Sequence, residues 1–195
     1  MHLVLYGPEG CGKGTQAELL AKILKLKIYT SGDLVRKAAT KNSGSIGQEC
    51  RNALAEGRYV SDATMYLLWE KKLKSKQAQK GFILDGFPRT LNQAKFLFGK
   101  SADYGYKIDK IIHFNIGKRE ILTRLIKRKR KLFSGSRISH DTPRRIEQRL
   151  KMYYQQEKEL LNFFRQKKIL LEVNGNQSIK EVFTSIIKRL QVNNK

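Results

Sequence analysis

The stretch GPEGCGKGT, residues 7–15, places four glycines and a lysine between an apolar run, LVLY, and a segment with helical spacing. A glycine-rich turn of this kind aims backbone N–H groups at phosphate oxygens. The helix N-terminus that follows adds about half a positive charge. Gly7, Gly10 and Gly12 supply backbone conformations that a Cβ would hinder. Lys13 would set a point charge on the β- and γ-phosphates, and the hydroxyl after it would bind Mg²⁺. The alternative is a glycine-rich turn without a ligand, which the strand before and the helix after argue against. Two features are unusual. Gly14 follows the lysine, so the hydroxyl arrives late, at Thr15, and Glu9 stands where a polyanion would lie. A carboxylate facing phosphates would weaken their binding. Glu9 is therefore expected to point outward, the inner positions being claimed by backbone N–H groups.

A second candidate is Asp85, which ends the apolar run FILD. An Asp at the end of a strand beside such a loop can hold Mg²⁺ through water. The other reading, a helix-capping Asp, is disfavoured by the Gly-Phe-Pro that follows.

The elements that must position these groups alternate along the chain. LVLYG, KIYT, FILDG, KIIHFNI and ILLEV read as five apolar strands. Segments of helical period separate them, with start signals at Ser31-Gly32-Asp33 and at Ser61-Asp62. KREILTRLIKRKRK reads as a helix with a basic surface, SGSRISHDTP as a loop, and the stretch after Pro143 as a long helix. Strands covered on both faces predict an α/β fold, an open parallel sheet of about five strands with right-handed crossovers. Ligands in such sheets bind beyond the carboxyl ends of the strands. Gly7, the Thr30-Ser31 turn, Asp85 and the tail after Val173 should therefore converge on one crevice.

Composition narrows the classes. A chain of 195 residues with 40% hydrophobic content suits one domain with small insertions. No apolar run is long enough to span a membrane. The opening MHLVLYGPEG lacks the basic and apolar regions of a signal peptide, so a cytoplasmic location is expected. Cys11 and Cys50 make neither a disulfide framework nor a zinc site. Lys and Arg number 40 against 17 Asp and Glu, a net charge of +23. That excess suits polyanionic partners, nucleic acid among them, although its spread along the chain also fits solvated helix faces.

GKGTQ, SGDLVR and DGFPRT occur together and in this order. The combination resembles the adenylate kinase family of nucleoside monophosphate kinases, and the likeness runs from Leu3 to Leu190. In that family Gly follows the loop lysine and Thr comes next, whereas Pro usually stands where this chain has Glu9. The resemblance implies a P-loop NTPase-type fold and reversible transfer of the γ-phosphoryl of Mg·ATP to AMP, giving two ADP. Such chemistry needs in-line positioning and charge neutralisation, so arginines matter more than acid–base groups. It also implies the division of the chain: residues 1–29, 61–128 and 141–195 as core, 30–60 as the monophosphate-binding segment, and 129–140 as a short lid.

Carried over motif by motif, the ATP side comprises Gly10, Cys11, Gly12, Lys13, Gly14, Thr15, Arg124, Arg128 and Gln177. The AMP side comprises Ser31, Arg36, Arg58, Tyr59, Val60, Gly86, Phe87, Pro88, Arg89, Gln93, Arg137 and Arg149. Arg36 and Arg89 would hold the AMP phosphate and Gln93 the adenine edge. Arg124 would stack on the ATP base. Lys13, Arg89, Arg128, Arg137 and Arg149 would act on the transferring group, with Thr15 and Asp85 holding Mg²⁺ through water. The short lid lacks the four cysteines of zinc-bearing lids, so no zinc is expected. The lid segment RISHDTPRR keeps a single acidic residue, Asp141, with His140 beside it, which shifts the placing of Arg137 by up to one position. A monomer without a membrane partner is the family default. Ser31 keeps the hydroxyl usual in AMP kinases. UMP/CMP or another monophosphate is the alternative acceptor, and a nucleic-acid-associated P-loop protein is a third reading resting on the charge.

Overall fold

The computed structural model describes residues 1–128 and 141–191. Five strands form one parallel sheet: β1 (His2–Tyr6), β2 (Lys27–Thr30), β3 (Phe82–Asp85), β4 (Lys110–Asn115) and β5 (Leu170–Asn174). Their order across the sheet is β2-β3-β1-β4-β5. Between and after them run α1 (Lys13–Leu24), α2 (Ser31–Lys41), α3 (Ser45–Glu56), α4 (Asp62–Leu73), the single turn α5 (Lys76–Gln79), α6 (Leu91–Asp103), α7 (Lys118–Arg128), α8 (Pro143–Gln166) and α9 (Ile179–Arg189). The expected open parallel α/β sheet is the one observed. The basic helix is described only as far as Arg128.

The two faces of the sheet follow from the twofold period of its strands. Leu3 and Leu5 of β1 point into one core with Ile83, Ile112, Phe114, Leu20 and Ile186. Val4 and Tyr6 point into the other with Phe82, Leu84, Trp69, Leu97 and Phe164. Because both faces are buried at the centre of the sheet, β1 and β3 read as nearly continuous apolar runs. Among the described residues no helix is long and apolar enough to cross a membrane.

Register brings the strand ends level. Leu5 of β1 and Thr30 of β2 both pair with Asp85 of β3, and Tyr6 pairs with His113 of β4. The strand order reverses between β1 and its two neighbours, so a crevice opens above the carboxyl end of β1. One detail of the helix starts differs from expectation. Thr30, not Ser31, caps α2, its hydroxyl accepting from the Asp33 N–H at 2.9 Å. The Ser31 hydroxyl is thereby released to donate to the Gly86 carbonyl at 2.7 Å, which ties the start of α2 to the end of β3.

The opposite end of β1 carries a pH-sensitive contact. His2 is buried, stacks on Tyr106 with ring centroids 4.4 Å apart, and donates from Nε2 to the Ala78 carbonyl at 2.9 Å. Burial lowers its pKa, against the pull of the Ala78 carbonyl. The unfolded chain therefore binds this proton more readily than the folded one. Stability from His2 is full above the ordinary histidine pKa of about 6.5 and is lost as pH falls through the lowered folded value. Melting temperatures measured from pH 7.5 down to 5 are expected to fall, and His2→Phe should flatten that part of the slope. An unchanged slope in His2→Phe would refute the assignment.

Candidate active site

A cavity of about 880 Å³ occupies the crevice above the strand ends. The loop between β1 and α1 forms its floor. Gly7, Gly10 and Gly12 adopt φ values of 150°, 85° and 100°. A Cβ on Gly10 would meet the Leu125 side chain at 2.8 Å, and one on Gly7 would meet Cys11 Sγ at 2.9 Å. The loop thus needs glycine for conformation and for space. By contrast nothing lies within 4 Å of where a Gly14 Cβ would stand. The residue after the lysine faces open space, one reason the hydroxyl can wait until Thr15.

Lys13 begins α1 and is buried, its Nζ donating to the carbonyls of Gly7 and Pro8, both at 2.8 Å. Burial opposes its charge, but the Cys11 sulfur, Asp85 and Glu9 together outweigh burial and raise its pKa. The lysine is a fixed cation. Cys11 shifts upward, mainly through burial, and stays a thiol at neutral pH.

On the opposite wall stand the residues expected for an acceptor. Ser31, Arg36, Arg58, Tyr59, Val60, Gly86, Pro88, Arg89 and Gln93 all line the same cavity. Arg89 is held twice, its Nε donating to the Gly86 carbonyl at 2.8 Å and its guanidinium lying 4.0 Å over the Tyr59 ring. Arg36 pairs with Asp33 at 2.6 Å. Gln93 is buried and its amide is oriented by neighbours. Its Oε1 accepts from the Arg89 N–H at 2.8 Å, and its Nε2 donates to Asp62 at 2.7 Å. One N–H and one lone pair of that amide remain. Phe87 is placed differently from the rest. Its ring is buried and stacks on Trp69 at 5.1 Å, so its side chain belongs to the core and not to the cavity lining.

The third wall comes from the second half of the chain. Arg124 and Arg128 of α7, Arg149 of α8, and Gln177 before α9 reach the cavity, as do Gly10, Cys11, Gly12, Gly14, Thr15 and Asp85 from the floor. Arg124 pairs with Glu120 at 2.7 Å. Arg128 makes a two-point contact with Asp141, Nε to Oδ2 at 2.9 Å and Nη2 to Oδ1 at 2.8 Å. Arg149 donates to the same Oδ1 at 3.0 Å. Burial works against the Arg128 charge, yet the bonds and charge of Asp141, with Glu9 behind them, raise its pKa. The expected lid, residues 129–140, with Arg137 and His140 in it, lies outside the described residues.

Glu9 corrects the sequence-based expectation. Its carboxylate turns inward, lines the cavity and lies 3.0 Å from Arg149 Nε. The reason is electrostatic. Among the described residues the cavity lining carries seven basic side chains (Lys13, Arg36, Arg58, Arg89, Arg124, Arg128, Arg149) and four acidic ones (Glu9, Glu18, Asp33, Asp85). The buried Arg149, with Arg128 beside it, draws the carboxylate in. Two further residues were missed from sequence. Tyr153 lines the cavity one turn along α8 from Arg149, and the i, i+4 spacing was the available signal. Arg145, also on α8, donates to the carbonyls of Leu54 and Ala55 in the last turn of α3, joining the acceptor wall to α8.

The same cavity brings the loop and Lys13 together with Arg36, Arg89, Arg128 and Arg149, cations and N–H donors of the kind that bind phosphate groups. Comparisons with known proteins identify the family. A family model described as "Adenylate kinase" matches residues 5–169. Among curated proteins the chain is 36% identical over 184 residues to an adenylate kinase of Cyanothece sp., covering 94% of this chain and 92% of the relative. It is 34% identical over 188 residues to an adenylate kinase of Chelativorans sp., covering 95% and 96%. It is 31% identical over 214 aligned positions to one of Carboxydothermus hydrogenoformans, covering 98% and 100%.

Proposed function

The chain belongs to the adenylate kinase family, and from that premise we propose that it transfers the γ-phosphoryl of Mg·ATP reversibly to AMP, forming two ADP. It is a phosphotransferase. The observation that carries the reading is the single cavity in which a phosphate-binding loop faces the Ser31, Arg36, Arg89 and Gln93 wall. Phosphoryl transfer of this class asks the protein for position and for positive charge, not for a nucleophile. Lys13 and the loop N–H groups take the β- and γ-phosphates of the donor. Arg36 and Arg89 hold the acceptor phosphate in line. Arg128 and Arg149 neutralise the charge that spreads over the equatorial oxygens of the group in flight.

Thr15 and Asp85, both on the cavity wall near Lys13, fit a water-bridged Mg²⁺ that arrives with ATP. Bound there, the ion would neutralise charge on the donor phosphates. Residues 30–60 act as the acceptor-binding segment of a core formed by 1–29, 61–128 and 141–195. Closing that segment over the acceptor would exclude water, which otherwise would take the phosphoryl group. The enzyme acts in the cytoplasm as a monomer.

Specificity for AMP rests on Ser31 and Gln93. Purified protein offered Mg·ATP with AMP, CMP, UMP and GMP in competition is expected to phosphorylate AMP at least tenfold faster than the others, a gap within reach of one or two base-edge hydrogen bonds. A preference for CMP or UMP would replace the AMP assignment by a pyrimidine monophosphate kinase. No transfer to any of the four would remove the reading altogether.

A further inference from the structure

Glu9 is the one acidic residue of the loop that should cradle phosphates. Its Oε2 lies 3.0 Å from Arg149 Nε and 3.7 Å from Arg128 Nη2. Asp141 shares the same two guanidiniums: it holds Arg128 at 2.8 and 2.9 Å, through the same Nη2 that Glu9 approaches, and Arg149 through Nη2 at 3.0 Å. The two carboxylates differ in one respect. The Asp141 side chain is fully buried and stands behind the arginines, outside the cavity lining, whereas Glu9 shares that lining with Arg128 and Arg149. Glu9 therefore meets the arginines on the side from which a phosphate would approach.

We propose that Glu9 is a resident counter-anion of the phosphate subsite, a positioning residue that holds Arg149 and Arg128 over the loop and makes nucleotide phosphates compete with it for those guanidiniums. The inference rests on the phosphotransferase reading above and deepens it. A guanidinium offers five N–H donors in a plane, so an edge shared with Glu9 is an edge not fully given to phosphate. A negative charge several ångströms from a polyphosphate also opposes it directly, in a site where water screens poorly. Both effects act on phosphate and spare the nucleoside. The chain thus weakens its grip on substrate and product phosphates while keeping the arginines in register. Where relatives of the family usually have proline, this one carries an adjustable anion.

The test uses inorganic tripolyphosphate, whose binding does not depend on which base the enzyme prefers, with adenosine as the phosphate-free control. Calorimetric titration of the full chain should show Glu9→Gln binding tripolyphosphate about tenfold tighter than native protein, the gain expected for removing one nearby charge at intermediate dielectric. Adenosine affinity should change less than twofold. Glu9→Ala, which removes both charge and hydrogen-bonding atoms, should move in the same direction and covers the case in which Glu9→Gln folds poorly. Glu9→Asp keeps the charge and should return towards native affinity. In steady-state assays the KM for ATP should fall with the tripolyphosphate Kd, a shift that a purely structural role would not produce. Equal or weaker tripolyphosphate binding in Glu9→Gln and Glu9→Ala overturns the proposal, as does an equal gain for adenosine. The two readings separate cleanly. Native protein that transfers no phosphoryl group to any monophosphate defeats the proposed function, whereas tripolyphosphate affinities insensitive to charge at residue 9 defeat the role of Glu9 alone.

Discussion

Arg89→Ala is expected to bind ATP within about threefold of native protein and to lose two to three orders of magnitude in kcat, the usual size of losing one preorganised charge donor at a transition state. The separation follows from where Arg89 stands. It lies on the acceptor wall, with Nε on the Gly86 carbonyl at 2.8 Å and its plane 4.0 Å over Tyr59. The donor loop and Lys13 are built from other residues and do not lean on it. Removing the guanidinium leaves donor binding intact while the acceptor phosphate loses its two-point grip. Arg89→Lys should recover little, because a lysine can neither fork around a phosphate nor stack as a plane on the tyrosine. Isothermal titration with ATP and a coupled assay of ADP formation would measure the two quantities. An Arg89→Ala enzyme with near-native turnover would remove Arg89 from the catalytic set.

Those parts of the fold that depend on local pattern were legible before any coordinates. FIL and LVLY are apolar throughout because both sheet faces are covered, and the carboxyl ends of the strands coincide as the parallel topology requires. The loop glycines could be placed from spacing alone, and their positive φ values follow from the turn they make. What sequence did not reveal has a common cause: it depends on contacts between residues far apart in the chain. Within the loop alone, Glu9 is a carboxylate that should avoid phosphates. Its inward turn is dictated by Arg149, brought there by a helix that begins at Pro143. Phe87 shares a motif with cavity-lining residues, but its ring is buried against Trp69 in the core. Tyr153 reaches the cavity only because α8 lies across the strand ends.

Asp141→Asn is expected to be the most damaging single change to the arginine wall. Among the described residues the carboxylates of Glu9 and Asp141 face the guanidiniums of Arg128 and Arg149, and of these Asp141 is the one completely shut off from solvent at its side chain. It accepts three charge-assisted hydrogen bonds from the pair. Asparagine matches its shape, but it loses the charge and turns an NH₂ towards donors that cannot accept. Removing one partner of a buried ion pair typically destabilises by about 3–5 kcal/mol. Glu9 remains as partial compensation, so a loss of about 3 kcal/mol is expected. In a chain of this size that lowers the melting temperature by about 6–12 °C. Function should suffer in a particular way. With Asp141 gone, the guanidiniums lose the buried anchor that fixes their orientation, so kcat should fall about tenfold or more while the KM for AMP, set by Arg36 and Arg89, changes little. Melting by circular dichroism and steady-state kinetics below the new melting temperature would read both effects. A native melting temperature would show that the Asp141 contacts contribute no net stability. A native kcat at a lowered melting temperature would show that Arg128 and Arg149 are oriented by Glu9 and the phosphates without help from Asp141.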